Sequence, residues 1–180
     1  MRLRLAGVIV SLALTAALPA MADDASEMSA TANGFYGVYR TFHPSDGVPD
    51  DKGRAKYAPY ISPALDALLK EAGDAEARFA TANKDSPPMI EGDLFSSLFE
   101  GATSVSVGSC TAEKGATTGR CVANLVYTDP GSKPTSWSDT LLLVRTPGGW
   151  KVDDVVYGGS WAFGNKGKLS ETLRQAIAFQ

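Results

Sequence analysis

The hydrophobic period of this chain changes once, and that change limits the folds open to it. In the first half the apolar side chains recur at helical spacing. Phe35, Val38, Tyr39 and Phe42 fall at i, i+3, i+4 and i+7, which predicts a helix over 31–42. "HPSDGVPDD" then interrupts the chain with two prolines and a glycine, and "KGRAKYAPYI" adds a helical turn. "SPALDALLKEAGDAEARFATAN" predicts a second long helix, with Ser62 as N-cap, Pro63 at the first helical position and Leu65, Leu68, Leu69 and Ala72 on its apolar face. Beyond residue 102 the period drops to two. "TSVSVGS", "CVANLVYTD", "TSWSDTLLLVRT" and "GWKVDDVVYG" read as strands, joined by the turn-like links "TAEKGATTGR", "DPGSKP" and "TPGGW". "LSETLRQAIAF" closes the chain as an amphipathic helix. Helices followed by consecutive strands predict an α+β domain with an antiparallel sheet.

The first 22 residues stand apart from that pattern. Arg2 and Arg4 precede the apolar run "LAGVIVSLALTAALPA", and "AMA" places small residues at Ala20 and Ala22. This is the pattern of a secretory signal peptide cut after Ala22. The run is shorter than the ~20 residues of a spanning helix, so no stable membrane insertion is expected after cleavage. Residues 23–30, small and polar, are expected as a flexible leader, and 31–180 as a single domain. Of the 17 basic side chains two leave with the signal, so 15 face 20 acidic ones in the remainder. No basic stripe and no aromatics interleaved with Lys or Arg are present, which argues against nucleic acid as a partner.

Cys110 and Cys121 are the two cysteines. In an exported protein an even pair at this spacing predicts a disulfide. A metal site would need a second cysteine pair or nearby histidines, and the one histidine, His43, lies far off in sequence. No metal and no cofactor are expected. His43 reads as a residue following a helix C-terminus, where its charge is favourable. "GGSWA" lacks the final glycine of a nucleophile elbow, and "GATTGR" lacks the Lys-Ser/Thr of a phosphate loop.

Between the two halves lies "GDLFSSLFEG", residues 92–101. Leu94 and Leu98 are four apart, as are Phe95 and Phe99. Asp93 sits where an N-cap belongs and Gly101 where a terminator belongs. The segment predicts a short capped helix burying four side chains, in preference to an acidic active-site loop.

The polar residues with most chemical interest are on the last hairpin. If a type II turn at Pro147-Gly148 pairs Arg145 with Trp150, then Leu143 meets Val152, Leu141 meets Asp154 and Asp139 meets Val156. Alternation places Asp139 and Asp154 as diagonal neighbours on one largely apolar face with Trp137 and Trp150. Such carboxylates are candidates for general acid–base work or ligand binding. The competing expectation is a bulge at Asp153-Asp154, which would turn one aspartate outward. Tyr36, Tyr39, Phe42, Trp137 and Trp161 are candidates for the floor of a ligand pocket, although such aromatics are most often core.

Three stretches carry a family resemblance. "FYGVYRTF" is similar to the aromatic first helix, "YAPYISPALDALL" to the second helix and "GGWKVDDVVYG" to the last strand of the nuclear-transport-factor-two-like superfamily. Together with "EGDLFSSLFEG" they resemble a family of exported bacterial domains within it. Over residues 33–178 the resemblance implies a cystatin-like α+β cone, helices packed on a curved antiparallel sheet, and a periplasmic or secreted location. It implies no activity. The function expected first is a non-catalytic binding domain for a small molecule, a cell-wall fragment or a partner protein. The alternatives are a cofactor-free hydrolase or isomerase using Asp139 and Asp154, and an immunity-type or envelope interaction protein.

Overall fold

The computed structural model describes residues 20–41 and 47–179, with no side-chain detail for 20–23. Residues 1–19 of the expected signal peptide, Phe42 and His43 lie outside the described residues. Four helices and four strands follow in the order α1 (Ala20–Tyr39), α2 (Asp51–Tyr57), α3 (Pro63–Ala82), β1 (Ser104–Thr111), β2 (Thr118–Tyr127), β3 (Thr135–Thr146), β4 (Gly149–Val156) and α4 (Leu169–Ala178). The strands form one open antiparallel sheet in the order β1-β2-β3-β4, so the α+β class agrees with the hydrophobic pattern. Among the described residues no helix is long and apolar enough to cross a membrane.

Helix α1 starts well before the expected residue 31, and the stretch 23–30 expected as a leader is helical. Its burial explains the extension. Met28, Ala32, Phe35, Tyr36 and Tyr39 form a continuous buried stripe at helical spacing. Asp24 meets both the Arg145 guanidinium and, at 3.3 Å, Trp150 Nε1 on the β3–β4 hairpin. The sequence pattern missed this turn because its residues are mostly small and polar, while the partners of Asp24 are 121 and 126 positions away. Helix α3 does begin at Ser62, whose Oγ accepts from the Leu65 N–H at 3.0 Å. It passes through Gly73 without ending.

The sheet registers show where alternation holds and where it fails. Arg145 pairs with Trp150 and Leu143 with Val152, as expected. One residue later the register shifts, so Leu142 pairs with Asp154, Leu141 with Val155 and Thr140 with Val156. The expected Leu141–Asp154 and Asp139–Val156 pairs are not formed. Asp153 is the additional residue, and its carboxylate accepts from Ser62 Oγ at the start of α3. The turn also differs from a type II turn. The positive φ falls on Gly149 (90°) rather than Gly148, the geometry of a type I turn closed by a glycine bulge.

The inward face of the sheet carries Cys121, Ala123, Leu125, Trp137, Leu141, Leu143, Trp150 and Val152, all buried against the helices. The outer edge of β4 is covered. Ile61 makes a parallel bridge to Val152, and Lys168 an antiparallel one to Val156, which blunts an edge that would otherwise template further pairing. Cys110 and Cys121 face each other across β1 and β2 and form the disulfide.

Candidate functional site

The segment 92–101 is the point where sequence pattern and structure part most clearly. It is not helical. Its amides and carbonyls are met by distant groups instead of by a local ladder. Ser97 N donates to Asp139 Oδ2 at 2.9 Å, and Ser97 Oγ donates to Asp139 Oδ1. Asn165 Nδ2 donates to the carbonyls of Asp93 (2.7 Å) and Ser96 (2.8 Å), and Asn165 N to that of Ser97 (2.9 Å). Tyr157 Oη donates to the Leu94 carbonyl at 2.7 Å. The ends are drawn together where Asp93 N donates to the Phe99 carbonyl at 2.8 Å. Gly92 makes that closure possible. Its φ is 74°, and a Cβ there would lie 2.7 Å from the Phe99 carbonyl oxygen.

Asp93 caps no helix. Its carboxylate accepts from the Phe95 N–H at 2.6 Å and from the Tyr39 hydroxyl, which in turn accepts from Ala102 N at 2.8 Å. Tyr39 therefore ties both ends of the segment to α1. Burial pushes the Asp93 carboxyl up to about 7, opposed by its hydrogen bonds from Tyr39, Phe95 and Ser96 and reinforced by Asp139. Burial likewise raises the phenols of Tyr36, Tyr39, Tyr57 and Tyr157. Among the described residues the buried Tyr36 Oη has no hydrogen-bond partner.

The hairpin carboxylates have separate tasks. Asp139 receives, besides Ser97, the Gly158 N–H at 2.8 Å and Trp137 Nε1 at 3.2 Å. Asp154 accepts from Ser170 N (2.9 Å), Ser170 Oγ (2.7 Å) and Val155 N (2.9 Å), and so holds the first turn of α4. They share no hydrogen-bond partner, and both are buried. A carboxylate filled with structural donors has little capacity left for substrate.

Of the aromatics expected to floor a pocket, Tyr36 and Tyr39 are core, stacked edge-on at 5.7 Å beside Phe35. Trp137 is buried and meets Trp161 edge-on at 5.2 Å. Phe42 lies outside the described residues, and Trp161 lines a surface cleft. That cleft, of about 530 Å³, is lined by Glu91, Leu98, Phe99, Glu100, Trp161, Phe163 and Gly164. Phe99, expected inside, is 43% exposed, and Phe163 is 91% exposed. A larger hollow of about 680 Å³ beside the β1–β2 turn, lined by Glu113, Arg120, Leu142 and Asp153 among others, has no aromatic ring in its wall. Phe163 escapes a reading by hydrophobic period, because its loop is not periodic. The available signal was a bulky aromatic in the loop "GGSWAFGNKG", where nothing assigns it to a core. Among the described residues no three His, Cys, Asp or Glu side chains converge as a metal site would require.

Comparison of the chain with family models, curated proteins and solved structures returns no match.

Proposed function

We propose that this chain is an exported, non-catalytic binding domain that holds its ligand in the cleft of Leu98, Phe99, Trp161 and Phe163. The observation that carries the reading is the exposure of Phe99 and Phe163 on two segments whose neighbours are firmly fastened. Asn165 joins the two segments, bonding Asp93, Ser96 and Ser97 from the loop that bears Phe163. An apolar surface kept in place by rigid support is what a preformed ligand site needs. The hydrolase or isomerase alternative has less support, because Asp139 and Asp154 are buried and occupied.

Export is supported by the basic, apolar and small-residue pattern of residues 1–22 and by a disulfide in a small domain. Cleavage after Ala22 would leave α1 to begin at Asp23 and Asp24, acidic residues where the helix dipole favours them. The nuclear-transport-factor-two-like cone is proposed on the three quoted motifs and the order of helices and antiparallel strands. Intact mass of the exported protein tests the first claim: loss of residues 1–22 is expected, and a retained Met1 contradicts it. A fragment screen by NMR tests the binding reading. Small amphipathic fragments are expected to shift the amide signals of 98–100 and 161–164. Hits confined to other surfaces would move the site, and hits nowhere would remove the small-ligand reading.

A further inference from the structure

The binding reading leaves the occupant's chemistry open, and the wall of the cleft narrows it. Phe99, Trp161 and Phe163 contribute rings, Leu98 an aliphatic surface, and Glu91 and Glu100 two exposed carboxylates. Among the described residues no Lys or Arg lines the cleft. Among the described residues neither glutamate is ion-paired. The cation on the adjoining loop, Lys166, points its Nζ at the Gly159 carbonyl, 3.4 Å away. The charge in the wall is therefore of one sign, and it stands beside aromatic faces that are themselves electron-rich.

That combination discriminates among ligand classes. An anion would meet two carboxylates and the negative faces of the rings. A hard divalent cation would want several converging oxygen ligands, and rings offer none. A neutral hydrophobe would use the rings and ignore the glutamates. A large, weakly hydrated organic cation uses both, since it loses little hydration against a ring while its charge is still felt by the carboxylates. The volume of the cleft falls in the range of small-molecule sites.

Building on the binding-domain reading, we propose that the cleft takes a small organic cation of the alkylated-ammonium class, its charge set against Phe99, Trp161 and Phe163 and balanced by Glu91 and Glu100. The rings supply contact area and the glutamates supply selection for charge. Both glutamates are exposed and make no hydrogen bond within the network that fastens 92–101, so they can be changed without disturbing the fold.

The test uses the full oxidised chain and two probes of nearly equal shape, choline and its uncharged carbon analogue 3,3-dimethylbutan-1-ol. Binding is followed by NMR titration of the amides of 98–100 and 161–164 at low and high salt. Choline is expected to shift those signals saturably and to bind about fivefold more tightly than the neutral analogue. The double variant Glu91→Gln, Glu100→Gln is expected to reduce choline binding about tenfold and to leave the analogue unchanged. Added salt should weaken choline alone. Equal binding of both probes, or choline binding indifferent to the two glutamates, overturns the cation proposal while leaving the cleft as a binding site. Failure of both probes to shift these signals overturns the proposal too. If other fragments still bind there, the binding-domain reading survives it; if none does, that reading falls as well.

Discussion

Residues 93–98 and residues 161–163 meet at one cleft, to which the first contributes Leu98 and the second Trp161 and Phe163, yet they are held in opposite ways. In the first segment Asp93, Ser96 and Ser97 are buried and bonded to Tyr39, Asp139 and Asn165. In the second, Phe163 stands almost wholly in solvent, and Trp161 is anchored by its contact with Trp137. The difference separates two uses of the same residue types. Aspartate and serine here make structure, and phenylalanine makes a surface. In the sequence Asp139 and Asp154 stand as candidates for chemistry and Phe99 as core, while Asp93 reads as a helix cap and Phe163 lies outside every periodic segment.

The comparison breaks most directly if the fastened segment proves dispensable. Asp139→Ala leaves the N–H groups of Ser97 and Gly158, the Ser97 hydroxyl and Trp137 Nε1 without their acceptor. Phe95→Ala removes a ring packed against Phe35 at 5.3 Å and Tyr57 at 4.9 Å. Each is expected to cost about 3–5 kcal/mol in urea unfolding. A loss below about 1 kcal/mol in both would mean that this segment is as loosely held as the other, and the contrast would disappear.

What was legible in the sequence follows from the range of the interactions. Helix α3 was read correctly because its cap, its Pro63 and its apolar stripe are all local. The hairpin register was read correctly as far as Leu143–Val152, because a short turn fixes the nearest pairs. Beyond that pair the straight register fails and its competing expectation holds, a bulge at Asp153-Asp154, with Asp153 tied to Ser62, 91 positions away. The segment 92–101 failed for the same reason. Its local spacing is that of a helix, but Asp139, Tyr157 and Asn165 offer its backbone better partners than its own turns do. Those partners lie 42 to 72 residues downstream, where no pattern of spacing can reveal them.

A smaller effect sharpens the comparison through pH. Asp93 keeps its proton in the folded protein up to about pH 7, because it is buried, while in the unfolded chain it ionises near its ordinary value of 3.8. Between those values the folded state binds more protons than the unfolded one, so stability from this group is highest in acid, falls as pH rises and levels off above about 7. From about pH 5 to pH 8 the fall should be roughly 2–3 kcal/mol. Asp93→Asn keeps the shape and cannot ionise. The difference between parent and variant, measured by urea unfolding across that range, is expected to change by this amount and in this direction. A difference that does not vary with pH would show that water reaches Asp93, and that the segment is less closed than its hydrogen bonds indicate.

The smallest expected effect on stability belongs to the most exposed ring, and it is the one that decides how the cleft is to be understood. Phe163→Ala removes a side chain that is 91% exposed and that belongs to no buried cluster. Its stability should match the parent within about 0.5 kcal/mol, as for surface substitutions elsewhere. A ring whose removal costs the fold nothing, in a loop whose neighbours are pinned by Asn165, is free to be there for another reason. The same variant should therefore lose affinity for cleft ligands while keeping the unfolding curve of the parent. Trp161→Ala serves as the contrast. It gives up the Trp137 contact and the surface together, so it should lose both stability and binding. If Phe163→Ala instead destabilises the chain by 1 kcal/mol or more, the ring packs in solution against something that covers it. The exposed side of the comparison would then be a second buried side, and the ligand site would have to be sought elsewhere.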